Sequence, residues 1–331
     1  MTQTTSRPGA THPAPPFDPE LEATLAVLAP VLPPTITPDM VPALRGGLPG
    51  EVPVDEVLAE AGVSRRDLTI DGYEGAQIGV TVLERADRAP GVLAPAVFHT
   101  HGGGMIMGDR FTGLGQLLPW VVELGAVVVT VEYRLAPEFP DPYPVEDCYA
   151  GLVWTAEHAD ELGIDLGRLV IAGASAGGGL AAGTALLARD RGGPALAGQC
   201  LIYPMLDDRD STVSTQQVDG IGVWDRTSNV TGWSALLGER RGTDDVSIYA
   251  APARATDLSG LPQAYVDCAT AEVFRDEDVA YATALWAHGV QAELHVFPGG
   301  FHGFDLMAPQ AEVSAAMTAA RNAWMRRVLA G

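Results

Sequence analysis

Between residues 168 and 190 an apolar run, RLVIAGA, passes directly into SAGGGLAAGTALLARD, a segment of small residues at helical spacing. The junction reads Gly173-Ala174-Ser175-Ala176-Gly177, a GxSxG pentapeptide set between a strand and a helix. A serine on so sharp a turn is forced outward, and glycine on either side prevents clashes where the chain folds tightly on itself. The following helix brings the backbone N–H of Ala176 and its own positive end beside the serine oxygen.

The rest of the chain fits around such a junction. Short apolar runs at 78–84, 94–100, 126–133, 168–174, 199–205, 262–268 and 292–298 read as strands, most of them separated by helical segments. Uniformly apolar strands alternating with helices predict an α/β fold, a mostly parallel central sheet covered by helices on both faces. Ligands of such sheets bind at the carboxyl ends of the strands. Residues 1–17, rich in Pro, Thr and Ser, read as a flexible tail. DPELEATLAVLAPVL opens a helical lobe over 18–60 that is broken by PPTITPDMVPALRGGLPG, and residues 61–331 form the core. Some 55 residues after Met205 lack a clean strand–helix unit, which predicts an insertion over about 207–250, containing Trp224 and Trp233, that folds over the active edge.

Composition excludes several chemistries. With 47 % hydrophobic and 19 % charged residues, the 331-residue chain can bury one large core with an added lobe. Its net charge of −22 repels phosphate backbones, anionic lipid surfaces and anionic substrates, so nucleic-acid partners and stable membrane association are not expected. All twenty basic residues are arginine. Without lysine there is no Schiff base, no Walker lysine and no Ser-x-x-Lys nucleophile. Cys148, Cys200 and Cys268 lie far apart, with no His at metal-ligand spacing, and read as small buried hydrophobes. The N-terminal stretch has no apolar core of a signal peptide, and no run approaches a membrane span, so the expected location is cytoplasmic.

Two further glycine-rich stretches follow strands. In FHTHGGGMIMG, His101 precedes three glycines whose N–H groups are left accessible to a ligand oxygen. In HVFPGGFHGF, His302 follows the last strand, where a base can reach a serine at the sheet's edge. His12, His99, His158, His288 and His295 fall in the tail, within strands or on helices away from that edge. The stretch ATAEVFRDEDVAYA offers Glu272, Asp276, Glu277 and Asp278, with Asp267 just before it, as candidates for a third, acidic member. The chain order of serine, acid and histidine is that of the α/β-hydrolases. Met105, Trp224 and Phe304 lie close enough to these loops to line a pocket, though packing explains such residues as well.

HGGG, VEYRLAPEFPDPYPVEDCYAGLVW, GASAGGGLA, LIYPMLD and FPGGFHGF together resemble the hormone-sensitive-lipase-like, or family IV, carboxylesterases over residues 75–331. The resemblance implies an α/β-hydrolase fold with a helical cap and a serine esterase needing no cofactor, acting on small-molecule esters of short acyl groups. It implies Ser175 as nucleophile and His302 as general base, then acid. The oxyanion donors are the N–H groups of Gly103, Gly104 and Ala176, with His101 shaping their loop. Where the family's acid begins a string like DPLRDE, this chain reads EVFRDE, which makes the acid Glu272 and leaves Asp276, Glu277 and Asp278 as first-turn helix charges. The family usually has an acidic residue where this chain has Ala174. Its members are often homodimers. The same triad can attack amides, carbamates or lactones, and plant gibberellin receptors use the fold, without a full catalytic set, to bind a small molecule.

Overall fold

The computed structural model describes residues 12–30, 32–45 and 52–330. Eight strands form one sheet: β1 (Val63–Asp71), β2 (Gln77–Arg85), β3 (Ala94–Thr100), β4 (Val127–Glu132), β5 (Ile164–Ala174), β6 (Gly198–Ile202), β7 (Ala264–Ala269) and β8 (Ala292–Phe297). Their order is β1-β2-β4-β3-β5-β6-β7-β8. The β1–β2 and β2–β4 pairs are antiparallel and every later pair is parallel. The seven strands expected from apolar runs are β2 to β8. β1 departs from that expectation because VSRRDLTID carries an edge strand's charges: of its nine residues only Val63 and Ile70 are buried.

Alternation along the central strands divides the interior into two cores. Phe98, Ile171, Leu201 and Val266 face one side, beneath the helices Tyr143–Glu157, Ala176–Arg191 and Arg275–Ala287. Val97, Val170, Cys200 and Tyr265 face the other, beneath Leu114–Leu124 and Glu312–Leu329. The helix that follows β5 is buried from Ala176 to Ala188, which its small residues make possible. A methyl group on Gly183 would come within 2.0 Å of the Tyr249 carbonyl oxygen. All three cysteines are buried and unbridged.

Residues 1–11 of the expected tail lie outside the described residues. Within 12–17, the Pro13 carbonyl accepts from the Gln217 amide, and Phe17 packs edge-on against Phe301. The N-terminal segment meets both cores: Leu21 enters the second, whereas Ile36 and Val41 enter the first with Val218, Trp224, Trp233 and Leu236. Asp225 couples the two non-sheet segments. Its buried carboxylate caps the Arg226–Leu237 helix through the Ser228 N–H and accepts from the Thr35 hydroxyl at 2.5 Å. The Ser228 hydroxyl in turn accepts from the Ile36 N–H at 2.8 Å. Among the described residues no helix is long and apolar enough to cross a membrane.

One buried charge ties the antiparallel edge to the first helical layer. Asp147, with no exposed side-chain surface, accepts from Arg134 through Nε at 2.7 Å and Nη2 at 2.8 Å, and from the Tyr73 N–H at 2.9 Å. The Arg134 guanidinium lies against the rings of Phe139 and Tyr143. Removing one partner strands the other charge away from water. Asp147→Ala is expected to lower stability by about 3–5 kcal/mol in urea unfolding; a loss too small to move the midpoint would show that Arg134 finds water instead.

Candidate active site

At the end of β5, Ser175 has φ 59° and ψ −126°, a strained conformation for a residue with a side chain. Its neighbours hold it there. A methyl group on Gly173 would lie 2.2 Å from the Gly177 carbonyl oxygen, and one on Gly177 would lie 2.1 Å from that of Thr100. The Thr100 hydroxyl donates to the Gly177 carbonyl at 2.7 Å, and the Ser175 N–H donates to Ile202 at 2.9 Å. The serine side chain thus projects from the carboxyl end of a central strand, 9 % exposed.

Two loops bring partners to it. His302, in the turn after β8, places Nε2 2.8 Å from the Ser175 hydroxyl oxygen. Glu272, in the turn after β7, places Oε1 3.5 Å from His302 Nδ1 and accepts from the Ala269 N–H through Oε2 at 3.2 Å. Burial pushes the Glu272 carboxyl above its ordinary range, and the neighbouring imidazole pulls it back toward the ionised form. The imidazole is also held by two ring edges: Tyr203 at 4.8 Å between centroids and Phe274 at 5.0 Å, both T-shaped.

The other carboxylates of that stretch lie elsewhere. Asp276 accepts from the Ser214 N–H and pairs with Arg275. Glu277 and Asp278 occupy the first turn of the Arg275–Ala287 helix, as expected; both are buried, and burial drives both carboxyls well above the usual range. Their side of the helix faces the core. Glu277 accepts there from the N–H groups of Leu206 and Asp207. Asp267 pairs with Arg321, and burial raises its carboxyl to about 6.

The glycine loop stands opposite Ser175. Gly103 and Gly104 have φ of 112° and 62°, and a methyl group on Gly103 would fall 2.1 Å from the Met107 carbonyl oxygen. The N–H groups of Gly103, Gly104 and Ala176 donate to no partner among the described residues. His101 Nδ1 lies 2.8 Å from the Gly102 carbonyl, which can only accept, so that nitrogen carries the proton. Burial lowers the His101 pKa to about 4 and keeps the ring neutral. Stacked on Tyr133 at 4.1 Å, it braces the loop from behind, while the Tyr133 hydroxyl donates to the His101 carbonyl. Over the loop's outer side lies Trp224: a methyl group on Gly104 would be 2.2 Å from its Cη2. Met105 is buried in the same core as Trp224, whereas Phe304 belongs to the core on the other face of the sheet. The described residues contain no group of three or more His, Cys, Asp or Glu able to hold a metal.

The sequence reading gave no role to Tyr203, Phe274, Gln116, Asp305 or Arg321, although Tyr203 stands directly after β6 within LIYPMLD and Phe274 two residues after Glu272 within EVFRDE. Arg321 carries no local signal, since only the fold brings its helix to the sheet.

A family model described as the alpha/beta hydrolase fold matches residues 97–306. Esterase LipI of Mycobacterium tuberculosis is 37 % identical over 238 residues, which cover 72 % of this chain and 74 % of that one. Among solved structures, a bacterial heroin esterase is 41 % identical, with a TM-score of 0.84 over 95 % of this chain and 98 % of its own. The esterase LipW from Mycobacterium marinum is 31 % identical, with a TM-score of 0.82 over 96 % and 98 %. With the strand order, the GxSxG turn and the HGGG loop, these likenesses make the chain a member of the hormone-sensitive-lipase-like (family IV) esterases of the α/β-hydrolase fold.

Proposed function

We propose that this carboxylic ester hydrolase cleaves small neutral esters of short acyl chains through an acyl-enzyme on Ser175. The observation that carries the reading is the 2.8 Å contact between His302 Nε2 and the Ser175 hydroxyl at a strained strand-to-helix turn. His302 takes the serine proton as the oxygen attacks the ester carbonyl, and Glu272 orients the imidazole and stabilises its charged form. Charge developing on the carbonyl oxygen is received by the N–H groups of Gly103, Gly104 and Ala176, which have no internal partner to give up among the described residues. His302 then protonates the leaving alcohol. Water repeats the sequence at the acyl-enzyme and returns the serine, with no cofactor required.

Substrate preference follows from what surrounds the loop. The N-terminal stretch around Thr35 and Ile36 and the insertion over 207–250 act as one cap, joined through Asp225 and Ser228, and the cap's Trp224 lies on Gly104 beside the proposed oxyanion site. A rigid ring there leaves little room for a long acyl chain. The chain's net charge of −22 disfavours anionic esters.

Hydrolysis of p-nitrophenyl esters tests the triad. Ser175→Ala is expected to lower kcat by about 10⁶-fold and Glu272→Gln by about 10⁴-fold, both with the fold intact. Asp276→Asn should stay within a few-fold of wild type; a dead Asp276 variant beside an active Glu272 variant would reassign the acid. For the acyl side, Trp224→Ala is expected to move the optimum from acetate or butyrate toward octanoate. An unchanged chain-length profile would place the acyl group elsewhere.

A further inference from the structure

The contact that should orient His302 is loose. At 3.5 Å from Glu272, its Nδ1 is not within ordinary hydrogen-bonding distance, and both Glu272 Oε1 and His302 Nδ1 are buried without a hydrogen-bond partner. Nε2 nevertheless meets Ser175 at 2.8 Å. A second constraint beside Glu272 would help to hold the ring there. Two rings lie against it in T-shaped contacts, Tyr203 and Phe274, and of these only Tyr203 has a polar tip that can be fastened.

That tip is fastened firmly. The Tyr203 hydroxyl donates to Asp305 Oδ1 at 2.9 Å and accepts from the Gln116 amide at 2.7 Å, which also donates to Asp305 Oδ2 at 2.9 Å. Arg321 Nη1 donates to Asp305 Oδ2 at 2.9 Å, while its Nε and Nη2 donate to Asp267 Oδ2 at 3.1 and 2.9 Å. All five residues are buried, although two carboxylates and a guanidinium in a core are costly to desolvate. The network also grips the backbone around the site. Asp305 stands three residues after His302, in the short helix Phe304–Met307 that follows it, and the Tyr203 N–H donates to the Asp267 carbonyl at 2.8 Å. Tyr203 itself is held at φ 32°. Ring and loop are thus tied to one fixed point, the Arg321 side chain of the C-terminal helix.

We propose that Tyr203 is a positioning residue for His302, its ring locked against the imidazole by the buried Asp305–Arg321–Asp267 ion network and Gln116. The inference rests on His302 being the general base. The network acts on geometry alone: it touches neither substrate nor the reacting atoms, and it holds the imidazole where Nε2 faces Ser175 during proton transfer. Misplacement of a catalytic group by about 1 Å can cost as much as 10²-fold, which is ample for an evolved constraint.

The test uses steady-state hydrolysis of p-nitrophenyl butyrate by the full chain, with thermal unfolding and the imidazole Cε1–H proton resonance of His302 recorded for each variant. Tyr203→Phe keeps the ring and removes its anchor; kcat is expected to fall about tenfold with KM within twofold, and that resonance to shift or broaden. Gln116→Leu, which removes one of the hydroxyl's two partners without stranding a charge, should give a smaller loss of the same kind and serves if Tyr203→Phe folds poorly. Wild-type kcat and an unmoved resonance in a folded variant of either residue would overturn the proposal, as would a rise in KM alone. His302→Ala separates the two readings: if that variant keeps activity, His302 is not the base and the proposed function fails; if it is inactive while Tyr203→Phe is wild type, only the positioning role fails.

Discussion

The turn at Ser175 depends on backbone touching backbone. Gly173, Gly177 and the Thr100 carbonyl approach so closely that no side chain fits between them, and this proximity holds a non-glycine residue at φ 59°. Three parts of the molecule must therefore stay in register: β3, which carries Thr100; β5, which ends in the serine; and the helix that begins at Ala176. The same approach sets the glycine loop, continuous with β3, directly opposite the serine. Strain at one residue is sustained by a parallel sheet buried on both faces, with a helix of alanine and glycine packed against it.

Electrostatics around the site follow from burial. Glu272, Glu277, Asp278 and Asp267 crowd the ends of β6 and β7, and loss of water raises every one of their carboxyls. They differ in partner. Asp267 faces Arg321, Glu277 accepts two backbone N–H groups, and Glu272 faces His302. Among the described residues Asp278 has no hydrogen-bond partner for either oxygen, and burial pushes its carboxyl well above the usual range. An imidazolium forming at His302 would consequently meet its compensating charge at Glu272, the carboxylate in direct contact with it.

Much of this was legible in the sequence, and the boundary between what was and was not is physical. Apolar runs gave β2 to β8 because buried parallel strands leave no polar face to confuse the pattern; β1 escaped because its charged residues face solvent at an edge. Ser175, His302 and the HGGG loop stood out because each stands within a few residues of a strand's carboxyl end, whereas Glu272 was separated from the neighbouring carboxylates only by the family resemblance. The first-turn position of Glu277 and Asp278 could be read because helix position is local, whereas their burial is decided by which face packs inward. The network behind Tyr203 was invisible for a stronger reason. Its bonds span 102 residues from Tyr203 to Asp305, 189 from Gln116 to Asp305 and 54 from Arg321 to Asp267, distances over which no periodicity survives.

The most direct measurement is intact-protein and peptide mass spectrometry on acid-quenched mixtures of enzyme and p-nitrophenyl butyrate, taken while p-nitrophenol is still being released in the first turnover. A butyryl adduct that appears with that release, maps to the peptide containing Ser175 and decays as butyrate forms is the predicted result. Product release with no adduct, or an adduct on a residue other than Ser175, would contradict the account at its centre.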